Sequence, residues 1–430
     1  VIDADPEPRA AGTTTDLRID CHRLVSRLMA LGEIGAIDGT TGCARLALTD
    51  EDRAGRDLVV TWMRDLGLEI SIDGIGNVIA TMPGFDGVAP VMTGSHIDTV
   101  GTGGRYDGNL GVLGGLEVIE TVIAARERGE VDLIRPLAVG FFSDEEGARF
   151  PPDMLGSLVY VGGLAVEDAL LIEDANGAVF GTELERIGYA GPAPLPGPAP
   201  HAFVELHIEQ GPVLEDEDVT IGVVEGVQGI SWTELTLNGE SCHAGTTPMR
   251  LRHDPGYVAA CISAQVRELT TEFGEPQVGT VGAITLTPNL VNVVPSIATL
   301  TVDLRNTDEG TLQRAETKFR SFVAATAEAE GVGVETRILA RFEPVEFDEQ
   351  VIDIVERSAR ALGMSSRRMP SGAGHDAQMF ARICPTAMIF TKSVNGISHN
   401  VTEYTEPEDL EAGTNVLLQT MLTLAETEFG

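Results

Sequence analysis

The sequence predicts an α/β domain interrupted by an inserted ferredoxin-like α+β unit, and three observations carry that prediction. From about residue 50 to 226, short apolar runs alternate with segments of helical period, the pattern of a sheet with helices on its faces. From about 227 to 340 the order becomes β-α-β-β-α-β, that of a split βαβ unit. Beyond that the α/β character returns. The expected organisation is a first domain built from residues 1–226 and 341–430, with 227–340 inserted. A chain of 430 residues is also too long for one ordinary core.

The elements follow in order. TDEDRAGRDLVVTWMRDLG is an amphipathic helix capped by Thr49 or Asp50, and LEISIDGIGNVIATMPG is a turn-rich strand pair. VAPVMTGSHID has the pattern of a short buried strand, GVLGGLEVIETVIAARERGE that of a helix, and RPLAVGFFSDEE and AFVELHIEQGP those of two more strands. GPAPLPGPAP, from Gly191, is a Pro-rich exposed loop. In the insert, ISWTELTLNGES, TVGAITLTP, SIATLTVDLRN and VGVETRILARF are strands. DPGYVAACISAQVRELTTEF and LQRAETKFRSFVAATAEAE are its helices. VIDIVERSARALG is helical, TAMIFTKS is a strand, and Pro407 opens the final helix.

Composition narrows the function. The net charge of −37, from 66 acids against 29 bases, argues against nucleic acid or an anionic membrane as partner. No apolar run approaches the roughly 18 residues that span a bilayer. The start VIDADPEPRA lacks a basic, apolar leader, so a cytoplasmic protein is expected. The five cysteines form no CxxC pair, which suggests neither a disulfide framework nor a zinc ribbon. Cys242 stands beside His243, but sequence neighbours rarely pair as nucleophile and base.

FFSDEEGARF crowds Asp144, Glu145 and Glu146 at the end of a buried strand, and such acids repel unless a proton or cation sits among them. Two other strands end similarly, in His96 with Asp98 and in His207 with Glu209. Asp107 opens a Gly-rich loop between the first two strands, and His399 follows a strand near the C-terminus. Singly these residues read as turn formers or hydrogen-bonded structural groups. Together at one sheet edge, imidazoles and carboxylates are the ligand set of zinc and its neighbours.

GSHIDTV, GGRYDGNLGVLGGLEV, DEEGARF, ELHIEQGPVLE, HAGTTPM, NVVPSIATLTVDLRN, SGAGHDAQ and ISHN occur in that order. With them the chain resembles the hydantoinase/carbamoylase family, a branch of the di-metal aminoacylase/carboxypeptidase superfamily, from about residue 50 to the C-terminus. The resemblance implies a di-metal peptidase-like catalytic domain with the insert as lid and dimerisation domain. It implies His96, Asp107, Glu146, His207 and His399 as metal ligands, with Asp107 bridging two divalent ions. Zinc is the first expectation, with manganese, cobalt or nickel as alternatives.

By the same resemblance Glu145 is the general base and Asp98 the orienter of His96, while Asp144 has no assigned role. His243 polarises the scissile carbonyl from the partner subunit of a homodimer. Asn292 and Arg305 grip a substrate carboxylate, Gln210 recognises the ureido or amide group, and Gly374 and His375 complete the pocket. The expected substrate is a small ureido compound, an N-carbamoyl-L-amino acid or N-carbamoyl-β-alanine. The alternatives are allantoate, then an N-acyl amino acid or dipeptide, then a metal-binding relative without turnover.

Only two of the bases, Lys318 and Lys392, are lysines, and this acid-rich, lysine-poor balance resembles proteins of salt-loving organisms. Screening of surface charge then stabilises the fold, so the thermal midpoint should fall as salt is dialysed away. A midpoint indifferent to salt excludes that adaptation.

Overall fold

The computed structural model describes residues 16–429; the segment VIDADPEPRA, read above for a leader, lies outside them. Two compact units are present, one holding the chain up to Glu225 and again from Phe347, the other Gly226–Glu346. Among the described residues no helix is long and apolar enough to cross a membrane.

Before the insert the strands are β1 (Glu69–Ile72), β2 (Val78–Thr81), β3 (Val91–His96), β4 (Leu137–Phe142), β5 (Ala202–Ile208) and β6 (Ile221–Val227). Within it come β7 (Gly229–Asn238), β8 (Cys242–His243), β9 (Val278–Thr287), β10 (Val293–Val294), β11 (Ile297–Asn306), β12 (Gly333–Phe342) and β13 (Val345–Glu346). After it follow β14 (Ser366–Ser371) and β15 (Thr386–Thr391).

The first unit is a mixed sheet in the order β1-β2-β4-β3-β5-β15-β6, with β14 also on β6. Its centre, β4-β3-β5-β15, is parallel, and every residue of those four strands is buried. That burial on both faces explains why they lack the apolar/polar alternation of a half-exposed strand. Parallel strands bring their carboxyl ends to one edge. His96 therefore lies beside Phe142, just before the three acids, and His207 beside Phe390.

The helix Asn109–Glu127 is apolar almost all round and nearly wholly buried, as such a helix must be. A Cβ on Gly111 would lie 2.5 Å from the Leu206 carbonyl oxygen, and one on Gly115 2.5 Å from Thr93 Cγ2. The missing side chains let this helix rest directly on β3 and β5, which fixes the level of Asp107 just before its first turn. Thr49, rather than Asp50, caps the helix Asp50–Asp65 by accepting from the Asp52 N–H. Pro407 opens the helix Pro407–Glu426 as expected. The sequence reading named neither β6 nor β14.

The inserted unit is an antiparallel sheet in the order β12-β7-β11-β9. Its helices Pro255–Phe273 and Glu309–Glu330 share a core with it that includes Leu237, Val258, Ile262, Leu300, Val302 and Phe319. Asp254 and Asp308 cap those helices. β8 and β10 form a separate two-stranded ribbon. Where the sequence reading returned to the first domain at residue 341, the insert runs on to Glu346. β12 extends to Phe342, and β13 pairs Val345 with Val227 and Glu346 with Gly226.

Gly111→Ala should cost about 1–3 kcal/mol by overpacking against the Leu206 carbonyl, read as a lower urea midpoint. An unchanged midpoint would mean that the helix can back away from the sheet.

Candidate metal centre

His96 closes β3 with its Nδ1 2.9 Å from the backbone carbonyl of Asp98. His207, near the end of β5, has its Nδ1 2.8 Å from the carbonyl of Ile208. Because a carbonyl only accepts, each Nδ1 carries a proton and each Nε2 is turned to the centre of the sheet edge. There the two Nε2 atoms stand 3.5 and 3.2 Å from Oδ1 of Asp107.

The other oxygen of Asp107 faces a different set. Oδ2 is 3.5 Å from His399 Nε2, and His399 Nε2 is 3.2 Å from Glu146 Oε2. His96, Asp107 and His207 thus form one potential cation site, and Asp107, Glu146 and His399 a second, with Asp107 common to both. The donor set of imidazole and carboxylate suits zinc, manganese, cobalt or nickel. A third grouping, Glu205, His207 and His375, is already engaged. Glu205 accepts from Ser95 Oγ at 2.6 Å and the Ala377 N–H at 2.7 Å, and His375 Nε2 lies 2.9 Å from Ser371 Oγ.

The electrostatics ask for positive charge at this edge. Burial works against a charged His96, yet Glu145, Asp107, Asp98 and Glu146 together hold it well above the ordinary imidazole value. Glu146, against burial, raises His399 to about 9. Burial works against ionised Asp107, and His207 and His96 nevertheless hold it well below the usual carboxylate range. Either protons or cations must compensate these groups, and a cation in each donor set would do so.

The three consecutive acids have three separate environments. Asp144 is fully buried, and burial and then Asp98 push its carboxyl well up, which favours the neutral acid. Glu145 is buried too, with Oε2 3.4 Å from His96 Nε2; burial raises its pKa, opposed by His96. Glu146 faces His399.

Asp98 corrects the expectation made for it. Its carboxylate does not hold His96; the backbone carbonyl does. The carboxylate oxygens accept instead from the N–H groups of Glu145 and Glu146, each at 3.3 Å, which pins the acidic turn.

Gln210 stands at the cluster with φ 58°, its Nε2 donating to Asp107 Oδ2 at 2.8 Å and its Oε1 buried with no hydrogen-bond partner among the described residues. Gly374 runs against Met154, and His375 is buried with its ring centroid 4.6 Å from that of His207. Burial also holds its pKa well below the ordinary value. His375, expected to complete the pocket, packs against His207.

In the inserted unit, His243 and Asn292 are neighbours across the β8–β10 ribbon, with the Ala244 N–H donating to the Asn292 carbonyl at 3.0 Å. The Nδ1 of exposed His243 accepts from Gly245 and Thr246 N–H at 3.0 and 3.2 Å, so its proton sits on Nε2. Arg305 lies at the far end of β11 from that ribbon. It is held by Asp303 at 2.8 Å, with its guanidinium carbon 5.7 Å from the Trp232 ring centroid. The structure therefore joins His243 to Asn292 and sets Arg305 apart from both.

Sequence reading missed two residues that hold the site. Arg45, fully buried, donates from Nε to Ile97 O at 2.7 Å and from Nη2 to Asn109 Oδ1 at 2.8 Å, tying the His96 turn to the start of the helix after Asp107. Glu403 accepts from the Tyr106 and Asp107 N–H groups, each at 3.1 Å. Neither lies in a recognisable pattern; in a chain with 66 acids, Glu403 gives no signal of its own.

Comparison with known proteins adds four findings. A family model described as peptidase family M20/M25/M40 matches residues 92–423. An N-carbamoyl-L-amino-acid amidohydrolase of Rhizobium meliloti is 40% identical over 411 residues, spanning 95% of this chain and 97% of the relative. An allantoate amidohydrolase of Escherichia coli strain K12 is 37% identical over 401 residues, 92% and 96% of the two chains. Among solved structures, a hydantoinase/carbamoylase family amidase from Burkholderia multivorans superposes with a TM-score of 0.92 at 42% identity, covering 96% of this chain and 99% of that one.

Proposed function

The chain belongs to peptidase family M20/M25/M40, and from that premise we propose that it is a di-metal amidohydrolase cleaving the ureido C–N bond of an N-carbamoyl-L-amino acid or N-carbamoyl-β-alanine. The observation that carries this reading is Asp107, whose two oxygens face two separate donor sets. His96 and His207 would hold one cation and Glu146 and His399 the other, with Asp107 between them. Zinc is the first choice, and manganese, cobalt or nickel fit the same donors. Bound there, divalent cations supply Lewis-acid polarisation and lower the pKa of water.

The remaining steps fall to the chain's own groups. Glu145, in its buried position, takes a proton from the attacking water and passes it to the leaving nitrogen as the C–N bond breaks. That cleavage leaves one amine and a carbamic acid, which breaks down in water to carbon dioxide and the second amine, so the final products are amino acid, carbon dioxide and ammonia. In this reading the Nε2–H of His243 donates to the carbonyl oxygen, where a preorganised donor matters most. The unpartnered Oε1 of Gln210 accepts from a ureido N–H, a donor that an N-acyl group lacks at the corresponding place. Arg305 supplies a planar fork for the substrate carboxylate, oriented by Asp303, and Gly374 with buttressing His375 completes the pocket.

The placement of these groups supports a homodimer. Arg305 and Ile297 mark opposite ends of the strand Ile297–Asn306, at about 3.3 Å per residue. One copy of the insert is thus poorly arranged to bring both Arg305 and the His243–Asn292 ribbon to a small substrate. Two copies acting on each other's sites resolve that, with His243 and Asn292 from the second. The partners are then a small ureido acid and a second copy, with neither nucleic acid nor membrane, in the cytoplasm. The relative named for allantoate favours that compound as the second reading.

Glu145→Gln should abolish turnover while leaving two cations bound, measured by elemental analysis beside ammonia release; loss of metal in this variant would reverse the roles of Glu145 and Glu146. Metal-loaded wild type should release ammonia from N-carbamoyl-L-amino acids or N-carbamoyl-β-alanine. Release from allantoate alone would establish the second reading, and release from neither would overturn both.

A further inference from the structure

Two of the groups in the second donor set, Asp107 and His399, come from loops almost three hundred positions apart, and one buried carboxylate spans them. Glu403 is 4% exposed. Its Oε1 accepts from the Tyr106 and Asp107 N–H groups at 3.1 Å each, and its Oε2 accepts from Ser398 Oγ at 2.9 Å, one residue before His399. Ser398 Oγ also lies 2.7 Å from Asp107 Oδ2. The loop before Asp107 closes on this carboxylate so tightly that a Cβ on Gly104 would stand 2.1 Å from Glu403 Oε1. Beside it the rings of Tyr106 and Tyr404 meet edge to face at 5.8 Å.

We infer that Glu403 is a positioning residue that sets the spacing between Asp107 and His399, and with it the affinity of the cation site these two share with Glu146. The inference rests on the reading above that those residues hold a cation. Glu403 does not itself belong to either donor set. It acts through hydrogen bonds: one oxygen fixes the backbone of Asp107, and the other fixes the hydroxyl beside His399. His96 and His207 are oriented by their own carbonyls and make no use of it. Both sites use Asp107, but only the second also depends on the arm to Ser398 and His399, so loss of Glu403 should weaken that site more than the site of His96 and His207.

Shape rather than charge carries the effect. A Gln at this position keeps one oxygen for the two N–H groups. Its Nε2 can donate to Ser398 Oγ, whose single proton is then free for Asp107 Oδ2.

The test is calorimetric titration of zinc(II) into metal-stripped protein, with elemental analysis of the dialysed product. Wild type and Glu403→Gln should each bind two equivalents. Glu403→Ala should keep one tight site and bind the second about 10–100-fold more weakly, the usual effect of removing a group that supports a metal ligand. Two unaltered sites in Glu403→Ala, equal weakening of both, or a Glu403→Gln that behaves like Ala would each overturn the inference. Should Glu403→Ala fail to fold, Ser398→Ala removes the arm toward His399 and must show the same selective loss; two intact sites there would overturn it. A folded wild type that binds no zinc overturns the underlying functional reading, an outcome distinct from any difference among the variants.

Discussion

Charge confinement governs this molecule. Asp98, Asp107, Glu145 and Glu146 meet three imidazoles at one edge of a buried parallel sheet, and like charges in so dry a place repel unless something positive lies among them. Much of the surrounding structure serves to hold them there. The Asp98 carboxylate captures the N–H groups of the acidic turn, Arg45 joins the turn after β3 to the following helix, and Glu403 fastens the loop of Asp107. The parallel strands do the coarse placement, because they alone bring His96, His207 and the acidic turn to one level.

What could be read in the sequence was whatever depends on period and local chemistry. β3, β4, β5 and β15 are buried along their whole length and largely apolar, and each of the first three ends in a ligand type or is followed by one within a few residues. That pattern alone gathers His96, Glu145, Glu146 and His207, as the structure does. The insert was legible for the same reason, since β7, β9, β11 and β12 differ in pattern from the buried strands around them. By contrast, β6 contains Gly222 and Gly226, and β14 is polar with Pro370 within it. Both are strands through their neighbours rather than their propensities.

Support residues were illegible because their role exists only across long separations. Arg45 reaches Asn109, and Glu403 reaches Asp107. Asp98 shows a subtler limit. Its position two residues after His96 indicated a partner for that imidazole, but which of its oxygens did the work was decided by the acidic turn, which occupies the carboxylate and leaves the carbonyl to His96. His375 shows a related limit: the sequence places it in a loop near the site, while its packing against the His207 ring depends on the fold.

The Phe347 N–H donates to the Glu225 carbonyl at 2.9 Å, so the two ends of the first unit are already stitched together where the insert departs and returns. To the sheet, the whole of Gly226–Glu346 is topologically a hairpin loop, however large its content. Because loop closure cost grows only slowly with length, the size of such an insertion adds little to the cost of closing the sheet, while its last residues, Val345 and Glu346, still pair with Val227 and Gly226.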